Sequence, residues 1–189
     1  MQAPGGPEED VDGGFAEGGW SVGYWDEVVE QAMARETSEP FESLLGRKTY
    51  EIFAAHWPQV EDEDSGADTF NNARKYVVST TLDTVDWQNS VLLQGDLEEE
   101  LQKLKATDGP DLQVAGSSQL IQALLRYDLV DELWLKIYPV ILGKGKRLFG
   151  EGAIPMGLKL VESHHSPSGI IIATYMRDGA IKKGSFALD

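Results

Sequence analysis

The chain has 189 residues, 41% hydrophobic and 25% charged, with 32 acidic against 16 basic side chains and a formal charge of −16. These proportions suit one ordinary globular domain over residues 1–189. The acid argues against nucleic acid or an anionic membrane surface as a main partner, because both need a basic stripe. It is unevenly spread: residues 1–72 hold 17 Asp/Glu and 3 Lys/Arg, residues 73–189 hold 15 and 13. There is no cysteine, hence no disulfide or thiolate chemistry. No apolar run approaches the roughly 18 residues of a membrane span. The first six residues lack the basic start and apolar stretch of a secretory signal. The expectation is a soluble cytoplasmic protein.

Residues 1–20 contain eight Gly or Pro and predict an irregular, mobile loop, with Phe15 and Trp20 as its anchors. Val22, Trp25, Val28, Val29, Ala32 and Met33 then recur at helical spacing, with Ser21 as N-cap and Asp26 and Glu27 in the first turns. Residues 41–45 read as a strand, Gly46 as a tight turn, and 47–57 as a helix stopped by Pro58. Residues 61–68 form an acidic loop. Strands follow at 75–79 and 90–93, then a helix marked by Leu97, Leu101 and Leu104 and closed by Asp108-Gly109-Pro110. A strand at 112–115 leads through Gly116-Ser117-Ser118 into a helix with Leu120, Ile121, Leu124 and Leu125 on one side. Residues 132–138 alternate, 141–149 hold a Gly-Lys-Gly turn, and 158–166 with 169–176 predict a closing antiparallel hairpin before a weakly patterned tail at 177–189. Alternating strands and helices followed by strands alone imply an α/β fold with a mostly parallel sheet, helices on both faces and an antiparallel edge.

Three strand-to-turn junctions are places for chemistry. At Leu45-Gly46-Arg47-Lys48-Thr49 a strand passes into a helix whose free N–H groups and dipole suit a phosphate. The alternative is that Arg47 and Lys48 pair with Glu51 and neighbouring acids. At Val114-Ala115-Gly116-Ser117-Ser118-Gln119-Leu120, small residues let a ligand approach the backbone, although a ligand-free N-cap explains the serines equally well. At Val78-Ser79-Thr80-Thr81, hydroxyls stand where open α/β sheets bind ligands, at the carboxyl ends of strands. Other candidates fail on geometry. His164 and His165 are adjacent in a strand and point to opposite faces. Asp62, Asp64 and Asp68 resemble a calcium loop but lack its glycine offset and terminal glutamate. Lys144, Lys146 and Arg147 read as a charged turn blunting a sheet edge.

These junctions, in this order, resemble the dihydrofolate reductase-like superfamily. Within it they are most similar to the branch of the C-terminal reductase domain of the bifunctional riboflavin-biosynthesis deaminase/reductase. The resemblance rests on Gly46-Arg47-Lys48-Thr49-Tyr50-Glu51, Lys75-Tyr76-Val77-Val78-Ser79, Ala115-Gly116-Ser117-Ser118-Gln119-Leu120, Leu129-Val130-Asp131-Glu132-Leu133 and Pro139-Val140-Ile141-Leu142-Gly143-Lys144-Gly145. It implies a three-layer dihydrofolate reductase-like sandwich, NADPH as cofactor and a homodimer. It also implies hydride transfer to a pteridine-like or ribosylamino-pyrimidine substrate in riboflavin- or folate-type metabolism, the alternative being a nucleotide binder without turnover. Arg47, Lys48 and Thr49 would hold the 2′-phosphate region and adjoining phosphate, Ser79 and Thr80 would flank the adenosine end, and Gly116, Ser117, Ser118, Gln119 and Leu120 would carry the pyrophosphate, with Gly46 and Ala115 also among the cofactor-binding residues. Asp26, Glu27 and Glu30 are the carboxylates offered by the helix that supplies a proton donor in dihydrofolate reductases, the alternative being a solvated helix face. Trp20, Tyr24 and Trp25 would wall a flat substrate ring, or serve as core, which the apolar stripe favours for Trp25. Two departures stand out. Ala115-Gly116 replaces a pair that is often Gly-Gly. The family's first, central strand is absent before Met1, for which a misplaced start is the expected explanation.

Overall fold

The structure, a computed structural model, describes residues 1–61, 66–150 and 154–186. Its regular elements are α1 (Glu27–Glu36), β1 (Phe41–Gly46), α2 (Arg47–His56), α3 (Ala67–Asn72), β2 (Lys75–Val78), β3 (Ser90–Leu93), α4 (Leu97–Lys105), β4 (Asp111–Gly116), α5 (Ser118–Arg126), β5 (Glu132–Ile137), β6 (Leu158–His165) and β7 (Ile171–Arg177). Most predicted elements recur within a residue or two. Three differ. The first α-helix starts at Glu27, not after Ser21, because Asp26 caps it by accepting from the N–H groups of Val28 and Val29; Val22–Tyr24 is a separate 3-10 turn. That leaves Val22 and Trp25 exposed, Trp25 by 53%, so Trp25 is not core. Helix α3 occupies part of the stretch read as polar loop, with Asp68 in its first turn. Asp62 and Asp64 lie outside the described residues.

Strands β3-β2-β1-β4 form a parallel sheet, in that order. Successive strand residues face opposite sides, and this places one apolar set on each face. Leu44 and Tyr76 meet Leu101 of α4 and Leu120 and Leu124 of α5. Leu45 and Val77 meet Tyr50, Phe53 and Ala54 of α2, Phe70 of α3 and Trp87. The helices therefore lie on both faces, as expected of a three-layer sandwich. Burying side chains such as Leu44 and Leu45 stabilises the fold by about 1.5–3 kcal/mol each.

The second sheet, β5-β7-β6, is antiparallel throughout, with Glu132 opposite Met176 and Leu158 opposite Arg177. The hairpin of β6 and β7 is as expected. A single mixed sheet is not: parallel and antiparallel strands form two sheets, because no strand among the described residues pairs with the outer side of β4 or of β5. Helix α1 ties the sheets together. Lys136 of β5 pairs with the Glu36 carboxylate at 2.5 Å, Gln113 of β4 donates to the Glu36 carbonyl at 2.6 Å, and Arg35 makes a two-toothed pair with Glu162 of β6 at 2.6 and 3.0 Å.

The opening segment is anchored rather than loose. Phe15, Gln2 and Ala3 are buried. The Gln2 amide donates to the carbonyls of Asp10 and Asp12, and its oxygen accepts from Lys146 N–H. Trp20 Nε1 donates to Gln2 O at 2.8 Å, and Ser21 Oγ to Pro4 O at 2.8 Å. These bonds satisfy backbone groups that the Gly/Pro sequence leaves without a ladder.

Candidate functional site

Parallel pairing brings the three junctions to one edge. Gly46 is opposite Val78 across β1 and β2, and Leu45 is opposite Gly116 across β1 and β4. The carboxyl ends of three neighbouring strands therefore line up, with α2 and α5 starting from two of them.

Glycine permits a close approach there. A Cβ on Gly46 would lie 2.3 Å from Ser117 Oγ, and one on Gly116 would lie 2.5 Å from Thr49 Oγ1. The first turns of α2 and α5 thus lean on one another. No described side chain caps either helix, whereas aspartates cap α1 and α4. Two uncapped helix starts, each with free N–H groups and a positive dipole end, converge on the same edge. The Gly116–Ser117 peptide is cis.

The neighbouring cations have protein counter-ions. Arg47 pairs with Glu51 one turn along at 3.0 Å, and Lys48 lies 3.9 Å from Asp12. Asp12 also binds Lys146 at 2.8 Å, and Lys146 binds Asp10 at 2.5 Å. The hydrogen bond from Lys146, then its charge and that of Lys48, hold the Asp12 carboxyl below its ordinary pKa. Lys146 therefore clips the opening loop to the 141–149 turn, a role different from blunting a sheet edge.

Among the other predicted residues, Ser79 is buried, and its Oγ accepts from the N–H groups of Thr81 and Leu82, so it closes the turn after β2. Thr80 is exposed beside it, as are Ala115 and Gln119. Ser118 is half-buried at the start of α5. The Leu120 side chain lies in the core, leaving only its backbone for a ligand.

The three candidate carboxylates are placed differently. Burial raises the Asp26 pKa, but hydrogen bonds with Ser168 and the α1 backbone outweigh it and leave the carboxyl below its ordinary value. Its second oxygen accepts from Ser168 N–H at 3.1 Å, joining α1 to the turn between β6 and β7. An N-cap held ionised is the opposite of a raised-pKa proton donor. Glu27 and Glu30 are exposed, and Glu27 accepts from Gln31. Of the three aromatics, Trp20 and Tyr24 come together edge-on to Tyr138, with ring centroids 5.0 and 5.9 Å apart, while Trp25 stands outside. Sequence reading missed Tyr138, which follows β5 directly. Burial first, then Glu36, raise its pKa against a lowering bond from Ser21. Among the described residues no group of three or more His, Asp or Glu could hold a metal, and no helix is long and apolar enough to cross a membrane.

This is a three-layer α/β protein with its glycine-lined junctions at the carboxyl edge of a parallel sheet. Residues 10–172 match the RibD C-terminal domain, and the chain belongs to that family. It is 33% identical over 139 residues to the uncharacterized protein YyaP of Bacillus subtilis (strain 168), covering 72% of this chain and 73% of that one. It is 26% identical over 108 residues to YwjB, also uncharacterized, of the same organism, covering 57% and 58%. The fold is shared with a protein of Shewanella sp. PV-4 provisionally assigned to riboflavin biosynthesis, with TM-score 0.63, 23% identity and coverage of 78% and 79%. It is also shared with a pyrimidine reductase-like protein of Corynebacterium diphtheriae, with TM-score 0.60, 15% identity and 84% of each chain.

Proposed function

We propose that the protein is an NADPH-dependent reductase acting on a pteridine-like or ribosylamino-pyrimidine substrate, within riboflavin-type metabolism, in the cytoplasm and as a homodimer. The observation that carries this reading is the meeting of two uncapped helix starts over Gly46 and Gly116, with Arg47 and Lys48 alongside. Side chains at the two glycines would push Ser117 and Thr49 away and part the two helix starts, whose N–H donors are those that a dinucleotide's phosphates need. The cofactor would supply the hydride when bound. The chain's own residues would bind and orient. The α2 and α5 N–H groups would take the phosphates, and Arg47 and Lys48 the extra 2′-phosphate, after turning from Glu51 and Asp12. Exposed pairs of this kind are worth only about 0–1 kcal/mol, so the exchange costs little. Trp20, Tyr24 and Tyr138 offer aromatic surface to a flat ring.

Titrating NADPH and NADH against tryptophan fluorescence tests the reading. NADPH should bind below millimolar and more tightly than NADH, and Arg47→Ala should erase that preference. If neither dinucleotide binds, the reading fails. One observation favours a second reading, nucleotide binding without turnover: the carboxylate nearest a defined role, Asp26, is spent on capping. NADPH binding without oxidation by any pteridine or aminopyrimidine would select it.

A further inference from the structure

Four charged side chains from three segments meet at the opening loop. Asp10 and Asp12 belong to the loop, Lys48 to the first turn of α2, and Lys146 to the 141–149 turn. The two acids and two bases balance, but their contacts are unequal. Asp10 is held by Lys146 at 2.5 Å, with its side chain 8% exposed. Asp12 divides its carboxylate: one oxygen lies 2.8 Å from Lys146, the other 3.9 Å from Lys48, and its side chain is 56% exposed. Separating a buried pair costs far more than separating an exposed one. Asp10 is therefore the fixed partner of Lys146, and Asp12 the exchangeable one.

Asp12 also stands on a path of contacts between the two halves of the site. Its carbonyl and that of Asp10 accept from the buried Gln2 amide. The Gln2 main-chain oxygen accepts from Trp20 Nε1, and the Trp20 ring lies edge-on to Tyr138. Phe15 is buried, and a Cβ on Gly145 would lie 3.2 Å from its ring, so the loop and the 141–149 turn have little slack between them. The path leads from Lys48 at the α2 start to the aromatic surface.

We infer that Asp12 is a positioning residue that couples the α2 start to the opening loop: a phosphate that engages Lys48 loosens the loop around residues 10–15, and the closed loop in turn weakens that phosphate's binding. The phosphate as ligand rests on the proposed function. With Lys48 withdrawn, two carboxylates share one ammonium, and like charges disfavour one another. Asp10 keeps Lys146, so Asp12 gives way. Linkage makes the effect reciprocal: the factor by which the phosphate loosens the loop is the factor by which loop closure lowers the phosphate's affinity. That factor is at most about fivefold, the equivalent of the roughly 1 kcal/mol that an exposed pair contributes.

Hydrogen exchange over residues 10–15, read by mass spectrometry on the full chain, tests the coupling. The reporters are the amides of Gly14 and Phe15, which donate to the carbonyls of Val11 and Asp12. Without ligand, Lys48→Met should speed exchange there by about two- to fivefold, and Lys48→Arg should not. In an Asp12→Asn background, Lys48→Met should change nothing further, because Lys48 then has no carboxylate to hold. NADPH should accelerate exchange in the parent and not in Asp12→Asn. Asp12→Asn should bind NADPH about two- to fivefold more tightly and NADH as before. Unchanged exchange in Lys48→Met overturns the inference. So does equal acceleration by Lys48→Met in the Asp12→Asn background, or NADPH that binds and leaves the loop unchanged or slower. The Lys48 variants need no ligand: if neither dinucleotide binds, the proposed function fails, while these variants still decide whether Asp12 couples Lys48 to the loop.

Discussion

Replacing Gly46 by alanine tests whether the starts of α2 and α5 lean on one another as the candidate site requires. The added Cβ would lie 2.3 Å from Ser117 Oγ and 3.0 Å from Ser117 Cβ and N. The hydroxyl can rotate away; the Cβ and backbone nitrogen cannot, so the first turn of α5 must move. Overpacking of this kind costs about 1–3 kcal/mol. Against it stands a gain of about 0.4–1 kcal/mol from restricting the unfolded chain. Gly46 has φ −76° and ψ 155°, a conformation alanine adopts freely, so no backbone strain enters the comparison. The midpoints of these ranges give a net loss of about 1.3 kcal/mol, read by urea denaturation with tryptophan fluorescence at unchanged slope. Adding Ser117→Gly removes the Oγ and Cβ that the new methyl meets, while replacing a serine N-cap with glycine costs only a few tenths. The double variant should recover most of the loss. NADPH affinity should fall by about tenfold in the single variant, the equivalent of 1.4 kcal/mol. Gly46→Ala as stable as the parent, or a double variant no better than the single one, would refute the contact and with it the cradle.

Three further substitutions probe the supports of the site. Lys75 is 1% exposed, and its ammonium donates to the carbonyls of Asn71, Ala73 and Gln88 and lies 4.1 Å over the Trp87 ring; Lys75→Met should cost about 2–5 kcal/mol in denaturant. Burial brings the Lys75 pKa from 10.5 down to about 8. Between those values the unfolded chain holds the proton and the folded one does not, so the parent gains stability as pH rises through that window and Lys75→Met should lack the gain. Hydrogen bonds from Arg35, then His164, take the Glu162 carboxyl from 4.5 to about 2. Its contribution is full above pH 4.5 and lost as pH falls through 2, so Glu162→Gln should flatten acid unfolding between these values, and 1 M salt should shrink the difference because Arg35 is exposed. Asp26→Ala removes the α1 cap and the Ser168 bond, and should lower the melting temperature by a few degrees at pH 7. The loss should diminish below pH 4, as the carboxylate's contribution disappears through its lowered pKa.

Periodicity reveals which segments are regular, and here it placed every strand to within about two residues. Caps are harder to read, because several residues near a helix start can serve. Ser21 and Asp26 both suit the role, but only Asp26 has two N–H groups presented to it, and the choice decides whether Trp25 is buried or exposed. Helix α3 is six residues long, too short to show a stripe, and it adjoins an acidic run that reads as solvent. The three junctions could be found because small residues at the ends of β-rich runs have a local signature. Tyr138 had none: its place against Trp20 and Tyr24 depends on how the opening loop folds back, which no spacing along the chain reveals. The division into two sheets was equally hidden, since residues 112–115 and 132–138 read as strands whether or not a partner lies between them.

The acidic first third gains a physical purpose from these contacts. Asp10 and Asp12 neutralise Lys146, Asp12 also approaches Lys48, and Glu51 neutralises Arg47. Cations next to two uncapped helix starts would otherwise repel the dipole ends beside them. The exposed carboxylates of Asp12 and Glu51 relieve that repulsion at Lys48 and Arg47 without binding tightly enough to hold these cations against a better anion. A doubly charged phosphate with three acceptor oxygens is such an anion, whereas a polyanion must also face the surrounding carboxylates. On the proposed reading, the local balance of acid and base would favour one compact anionic group over an extended one, a selectivity that net charge alone does not reveal.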